Sequence, residues 1–297
     1  MQRRSIFFFC LSFLLYLSLF SCGDAIKPNG IIAMLTDYGT GDAYVGALSG
    51  AILRINPKAR LVNITHEVPS YDIQEGSYLL ASAAGEFPAG TVFLAIVDPG
   101  VGSARRPIAI ETKDGKFFVG PDNGIFSDVI RTLGLKRAHS IDNVSWVRKS
   151  GVSMTFHGRD IFGPTAAHIS KGAKVEEAGK VIDKLVIFAR PDPVYDGSNF
   201  RGQVMHRDHY GNLLTNIPAE LAAKAGLKNG MALTVRNGLI MAAATFENRY
   251  SAVDNGKFVI VINSQGRLEI ARNMASAGDS LRVRAGNEII IGTTALR

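Results

Sequence analysis

The sequence predicts an α/β protein: an N-terminal α/β domain with a mainly parallel sheet, followed by a smaller C-terminal β-barrel domain. Three observations carry this. Between Ile31 and Val97 buried-strand and amphipathic-helix patterns alternate in the order strand, helix, strand, helix, strand, the order of a parallel sheet with right-handed crossovers. After Phe188 the texture changes, through a Pro-, Asp- and Gly-rich stretch Ala189–Asn199 (ARPDPVYDGSN), to short β-type runs with regular turns. Strand-like runs also end in carboxylate–glycine turns, most clearly Val97–Arg106 (VDPGVGSARR), which is where open α/β sheets bind ligands. The expected domains are 31–188 and 200–297, with residues 1–22 set apart.

In chain order, Ile31–Leu35 (IIAML) is the first strand and runs into Thr36–Asp42, a turn with two carboxylates. Ala43–Ile55 has apolar residues at helical spacing and stops at Asn56-Pro57, as proline requires. Ala59–Ile64 reads as a second strand, Asp72–Ala84 as a second helix and Thr91–Val97 as a third strand. Pro107–Glu111 and Lys116–Val119 form a hairpin around Asp114-Gly115, and Ile125–Leu133 a helix after the turn Gly120–Gly124. Ile161–Ile169 is helix-like, with Pro164 tolerated in the first turn. In the C-terminal half the β-type runs are Phe200–Met205, Met231–Arg236, Phe258–Ile262, Leu281–Arg284 and Ile289–Gly292.

Composition narrows the function. Hydrophobic residues make up 46% of the 297, enough for a real core. The net charge of +7 is spread without Lys/Arg runs or interleaved aromatics, so it marks solubility or small-anion attraction and not a nucleic-acid footprint. The two cysteines, Cys10 and Cys22, both precede the folded part, which therefore holds no disulfide or cysteine metal site. Arg3 and Arg4 followed by the apolar Ile6–Phe20 read as an export segment, shorter than a membrane-spanning helix. Leu19-Phe20-Ser21-Cys22-Gly23 resembles a lipobox, which implies an exported lipoprotein anchored through Cys22; an ordinary cleaved signal and an uncleaved anchor are the alternatives.

Polar residues gather in five clusters: Asp37–Asp42, Asp98–Arg106, His157–Asp160, Asp208–Asn216 and Asn263–Asn273. Each lies at a strand end or glycine turn, where side chains can face a common cleft. His66, His139, His157, His168, His206 and His209 show no metal-ligand spacing, and no phosphate-binding loop, nucleophile elbow or full dinucleotide fingerprint is present. No metal or cofactor is therefore expected.

Together the blocks LTDYGTGDAYVGALSGAI, NITHEVPSYDIQEGSYLL, VFLAIVDPGVGSARRPIAI, GPDNGIF, TFHGRDIFGPTAAHI, GNLLTNI and NSQGRLEIARN resemble the S-adenosyl-L-methionine hydroxide adenosyltransferases, relatives of the fluorinase and chlorinase. The resemblance covers nearly all of residues 31–297. It implies an α/β domain and a β-barrel, a homotrimer with sites between subunits, and cleavage of S-adenosylmethionine by water into adenosine and L-methionine. It also implies a water-activating trio, here Asp98, Arg105 and His157. The ribose-binding carboxylate would be Asp37. Asp42, Asp208 and Ser264 would hold the methionine end, and Asn212 with Arg272 and Asn273 the adenine. The halogenating relatives carry Arg after the serine, where this chain has Gln265.

The residue chemistry suits such a reaction. A sulfonium leaves readily, so what is needed is a positioned, partly deprotonated water in line with the ribose 5′ carbon. Asp98 can orient the water or take its proton, Arg105 favours the hydroxide-like form, and His157 can relay a proton. Two other readings compete: an exported S-adenosylmethionine- or nucleoside-binding lipoprotein without turnover, and a halogenase, which Asp98 disfavours.

Overall fold

A computed structural model describes residues 26–293; the expected leader, with Cys10 and Cys22, lies outside them. The first half contains β1 (Ile31–Thr36), α1 (Tyr44–Ile55), β2 (Arg60–Thr65), α2 (Ile73–Ala84), β3 (Val92–Ile96), β4 (Pro107–Thr112), β5 (Phe117–Pro121), α3 (Ser127–Leu133), β6 (Leu135–Ser140) and α4 (Gly163–Ser170). Its six strands lie in the order β2-β1-β3-β5-β4-β6. Pairings β2–β1, β1–β3 and β3–β5 are parallel, whereas β4 is antiparallel to both β5 and β6. The sheet is thus mainly parallel with an antiparallel edge.

Strand alternation explains the layers. On β1, Ile32 and Met34 face one way, into a core shared with Leu48 and Ile52 of α1 and Ala166 and Ile169 of α4. Ala33 and Leu35 face the other way, against Leu80 of α2 and Val129 of α3. The central β3 is buried along its whole length, so it reads as an unbroken apolar run. Helix α2 begins where the sequence places it, because the Asp72 carboxylate accepts the Glu75 N–H at 2.9 Å, a side-chain cap. Gly163 lets α4 lie close on α1: a Cβ there would sit 2.8 Å from Leu48 Cδ1.

The second half contains β7 (Val194–Tyr195), β8 (Asn199–Arg207), β9 (Leu213–Pro218), α5 (Ala219–Lys224), β10 (Ala232–Asn237), β11 (Ile240–Phe246), β12 (Phe258–Ile262), β13 (Arg267–Arg272), α6 (Ala277–Leu281) and β14 (Glu288–Gly292). Seven strands close on themselves in the order β14-β10-β11-β12-β13-β9-β8, with β8 pairing back to β14, and β7 adds to β8. Phe200, Leu213, Leu233, Ile260, Leu268 and Ile289 fill the barrel. The seam between the halves is polar and paired. Arg190 grips Asp128, His206 Nδ1 lies 2.5 Å from Glu75 Oε1, and Tyr78 donates its hydroxyl to Gln265 at 2.7 Å.

Two expectations change. Leu281–Arg284 is not a strand. Ser276 caps a short helix by accepting the Asp279 N–H at 3.0 Å, and Arg282 ends it in the left-handed region (φ 53°). Leu281 and Val283 are still buried in the barrel, so the apolar signal was real but not a strand. The polar run Asn263–Asn273 is a tight turn followed by β13. Strands β6, β7, β9, β11 and β13 were not expected from the sequence.

Candidate active site

The chain leaves β1 toward β2 on one side and returns to β3 on the other, which opens a crevice beyond the carboxyl ends of β1 and β3. Asp37 follows β1 and Asp98 follows β3. The turn after Asp98 is closed by Val101 N–H to Asp98 O (3.2 Å) and Ser103 N–H to Gly100 O (3.0 Å). Gly102 has φ 77°, and a Cβ on it would strike Met154 O at 2.5 Å, so this position takes glycine for conformation and for space. From below, Asn123 Nδ2 donates to Val97 O at 2.8 Å, and the neighbouring Asp122 holds Arg106.

That turn carries Arg105 back over Asp98. Arg105 Nε donates to Oδ1 at 2.9 Å, and Nη2 contacts both Oδ2 of Asp98 and Nδ1 of His157, the latter at 2.8 Å. The ion pair is nearly buried, with side chains 9% and 6% exposed. Phe162 lies under the guanidinium at 5.0 Å. Arg105 Nη1 is buried and has no hydrogen-bond partner among the described residues. His157 stands at the head of one turn of π-helix, Gly158–Phe162, a deformation often found at functional sites. An arginine has only donors to offer, so the bond it makes to Nδ1 puts the imidazole proton on Nε2. Burial first, and the Arg105 charge second, hold His157 below its ordinary value.

Asp37 borders this group. Its Oδ2 accepts the N–H of Tyr71, itself in the left-handed region at φ 70°. Burial pushes the Asp37 carboxyl up, with a further push from Asp98 and an opposing pull from its backbone hydrogen bonds. Tyr38 packs beneath, its hydroxyl raised well above its ordinary value by burial and by the carboxylates of Asp37 and Asp98. Gly158 makes room for it, since a Cβ there would meet Tyr38 Oη at 2.3 Å. Asp42 is exposed in the turn before α1.

The other expected residues lie on the barrel. Asn212, Arg272 and Asn273 line one cleft of about 550 Å³ with Tyr210, Tyr250 and Met274. Asp208 stands behind Asn212: its Oδ1 accepts the Asn212 N–H at 2.8 Å and its Oδ2 accepts Nδ2 at 2.9 Å, which fixes the amide. Arg272 Nε donates to Gly256 O at 2.7 Å and Asn273 Nδ2 to Val253 O at 2.6 Å. Ser264 is exposed at the tip of the β12–β13 hairpin, whereas Arg272 pairs with Phe258 at its base. The structure thus assembles two groups, Asp37 with Asp98, Arg105 and His157, and Asn212 with Asp208, Arg272 and Asn273; Asp42 and Ser264 stand apart.

Between hairpin tip and cleft lies a residue the sequence reading missed. Glu269 on β13 is 4% exposed and accepts the Tyr250 hydroxyl at 2.7 Å. Burial raises its carboxyl, against the pull of hydrogen bonds from Tyr250 and Asn263, and the Asp208 charge raises it further. The available signal was a glutamate between Leu268 and Ile270 in a strand pattern. Among the described residues, no three His, Cys, Asp or Glu side chains converge as metal ligands.

Two family models match in succession: the N-terminal domain of the S-adenosylmethionine hydroxide adenosyltransferases over residues 32–179, and their C-terminal domain over 202–290. The chain belongs to that family. A (R)-S-adenosyl-L-methionine hydrolase of Salinispora tropica is 36% identical over 267 residues, 89% of this chain and 98% of that protein. A fluorinase of Actinoplanes sp. is 29% identical, over 89% of this chain and 97% of its own. A solved structure, titled as an uncharacterized conserved protein from Thermotoga maritima, superposes with a TM-score of 0.85 at 37% identity, covering 88% of this chain and 99% of its own.

Proposed function

We propose that this family member hydrolyses S-adenosyl-L-methionine by attack of water at the ribose 5′ carbon, giving adenosine and L-methionine. The observation that carries the reading is the contact of Asp98, Arg105 and His157 around a buried guanidinium nitrogen that has no partner among the described residues, beside Asp37. An orphaned buried donor costs about 1–3 kcal/mol, so a site holding one is built to receive an acceptor such as a water oxygen. The carbon–sulfur bond breaks as the carbon–oxygen bond forms, and the bonding pair goes to sulfur and cancels the sulfonium charge. The water proton passes to the Asp98 carboxylate and on to solvent. Arg105 keeps its protons and favours the hydroxide-like oxygen. With Nδ1 occupied by Arg105, His157 offers a donor through Nε2 and acts in orientation.

Asp37 takes the ribose hydroxyls, Asn212 with Arg272 and Asn273 takes the adenine, and Asp42, Asp208 and Ser264 take the methionine end. Asp208 and Glu269 add negative potential suited to a cationic substrate. No cofactor or metal is invoked, and the expected outcome is activity that a chelator leaves intact. The protein acts as a homotrimer in which the barrel cleft of one subunit covers the crevice of the next. Exposed side chains at both edges support this: Tyr71 is 72% exposed, Tyr210 78% and Met274 85%. A monomer in light scattering removes that part. The protein works outside the cytoplasm, membrane-bound through Cys22; labelling by a fatty-acid analogue that survives Cys22→Ala removes the anchor.

Chromatography of products from S-adenosylmethionine, with and without halide, tests the activity. Adenosine and methionine are expected under both conditions. Unconsumed substrate with measurable binding would leave the exported binding lipoprotein, and a halogenated nucleoside would make the protein a halogenase.

A further inference from the structure

On the α1/α4 side of the sheet, away from Asp98, lies a cavity of about 810 Å³ between α1, the 145–150 loop and α4. Four cationic side chains line it, Arg54, Arg148, Lys149 and Arg159, and no carboxylate does. Behind it the fully buried Asp160 accepts from Arg159 at 2.7 and 2.8 Å and from Arg148 at 3.1 Å, so one carboxylate serves two guanidinium groups. Arg54 and Lys149 are exposed and make no ion pair or hydrogen bond among the described residues. The cavity therefore has a surplus of three positive charges. Ile55, Pro164 and Trp146 give the wall an apolar stretch, with Trp146 stacked on His168 at 5.2 Å and 11°, and Ser145 and Ser150 also line it.

We propose that this cavity binds an amphiphilic organophosphate. A surplus of three calls for a multiply charged anion, and guanidinium forks match phosphate oxygens in pairs. The phosphate sits against Arg54, Lys149 and the free edge of Arg148, and the apolar body lies on Trp146, Ile55 and Pro164. A free organophosphate and the headgroup of an anionic lipid share this chemistry.

Trp146 is the chain's single tryptophan, so its emission reports the cavity directly. The full chain is titrated with hexyl phosphate, with hexanol, and with phosphatidylglycerol or phosphatidylcholine vesicles. Hexyl phosphate is expected to change the emission saturably, and hexanol to leave it unchanged. The double variant Arg54→Glu, Lys149→Glu is expected to bind hexyl phosphate about tenfold more weakly or worse. Both replaced side chains are exposed and unpartnered, so an unchanged thermal melt is expected alongside. A response to phosphatidylglycerol vesicles that the double variant loses assigns the site to lipid headgroups; a response to hexyl phosphate alone assigns it to a soluble ligand. The proposal fails if neither probe shifts Trp146, if hexanol acts as hexyl phosphate does, or if the double variant binds like the parent chain.

Discussion

At the carboxyl ends of β1 and β3, Arg105 pairs with the Asp98 carboxylate and donates to the neutral His157 in a nearly buried group. On the barrel, Asn212 is held instead by Asp208 of its own loop, and Arg272 and Asn273 by backbone carbonyls of Gly256 and Val253. The first arrangement fixes a charge distribution before any substrate arrives, which is what stabilising a developing charge requires. The second fixes shape and leaves amides and aromatic faces to recognise a ring. Under the proposed function the contrast puts the chemistry in the crevice and most of the grip, Asp37 apart, on the barrel, and it can be broken experimentally.

The largest effect should come from Asp98→Asn. The shape is kept and the proton acceptor is lost, so single-turnover rate should fall by about 100- to 10,000-fold while calorimetric affinity stays close to wild type. The variant also leaves a buried arginine without its carboxylate, at a cost of about 3–5 kcal/mol, so melting curves must accompany the rates. Weak binding with a wild-type rate at saturation would make Asp98 a binding residue and erase the contrast. Arg105→Ala should cost about 100- to 1,000-fold in rate, comparable to loss of an oxyanion donor.

On the gripping side the split should reverse. Asn212→Ala, Glu269→Gln and Asp37→Ala should each weaken binding by about tenfold, with the rate at saturation nearly kept, because these contacts exist before and during reaction. A rate loss equal to that of Asp98→Asn would move the residue concerned into the chemical group.

The smallest and sharpest test is the titration of His157. Its folded-state value is lowered, so the neutral ring is favoured, and what it contributes is present above its ordinary value of 6.5 and lost as pH falls below it. The turnover rate should hold through 6.5 and decline only below it, as pH falls through the lowered folded-state value. By NMR the ring should titrate below 6.5, and closer to 6.5 in Arg105→Ala. A parent value at or above 6.5 would contradict the bond from Arg105 to Nδ1.

Both the parallel sheet and the position of its crevice were legible in the chain, because each rests on local rules. A five-residue apolar run such as Val92–Ile96, bounded by turn residues, reads as an interior strand, and Asp98-Pro99-Gly100 as a turn. The barrel was legible as a class and not strand by strand. Its β13 reads as a polar run until β12 and β9 are placed on either side, and Leu281–Arg284 looks like a strand until Ser276 caps the helix before it.

Residue types and their turns were thus set by sequence alone: Asp37, Asp98, Arg105 and His157 on glycine-flanked loops, Asp208 and Asn212 in one polar turn. Tertiary structure decided which of them meet and in what state. Arg105 reaches His157 across 52 positions and so fixes the imidazole tautomer. Glu269 becomes a buried carboxylate, hydrogen-bonded by Tyr250, only once β13 is paired between β12 and β9. The physical reason is range: strand, turn and cap preferences act over a few residues, whereas burial and charge pairing depend on groups that only the closed fold brings within a few ångströms.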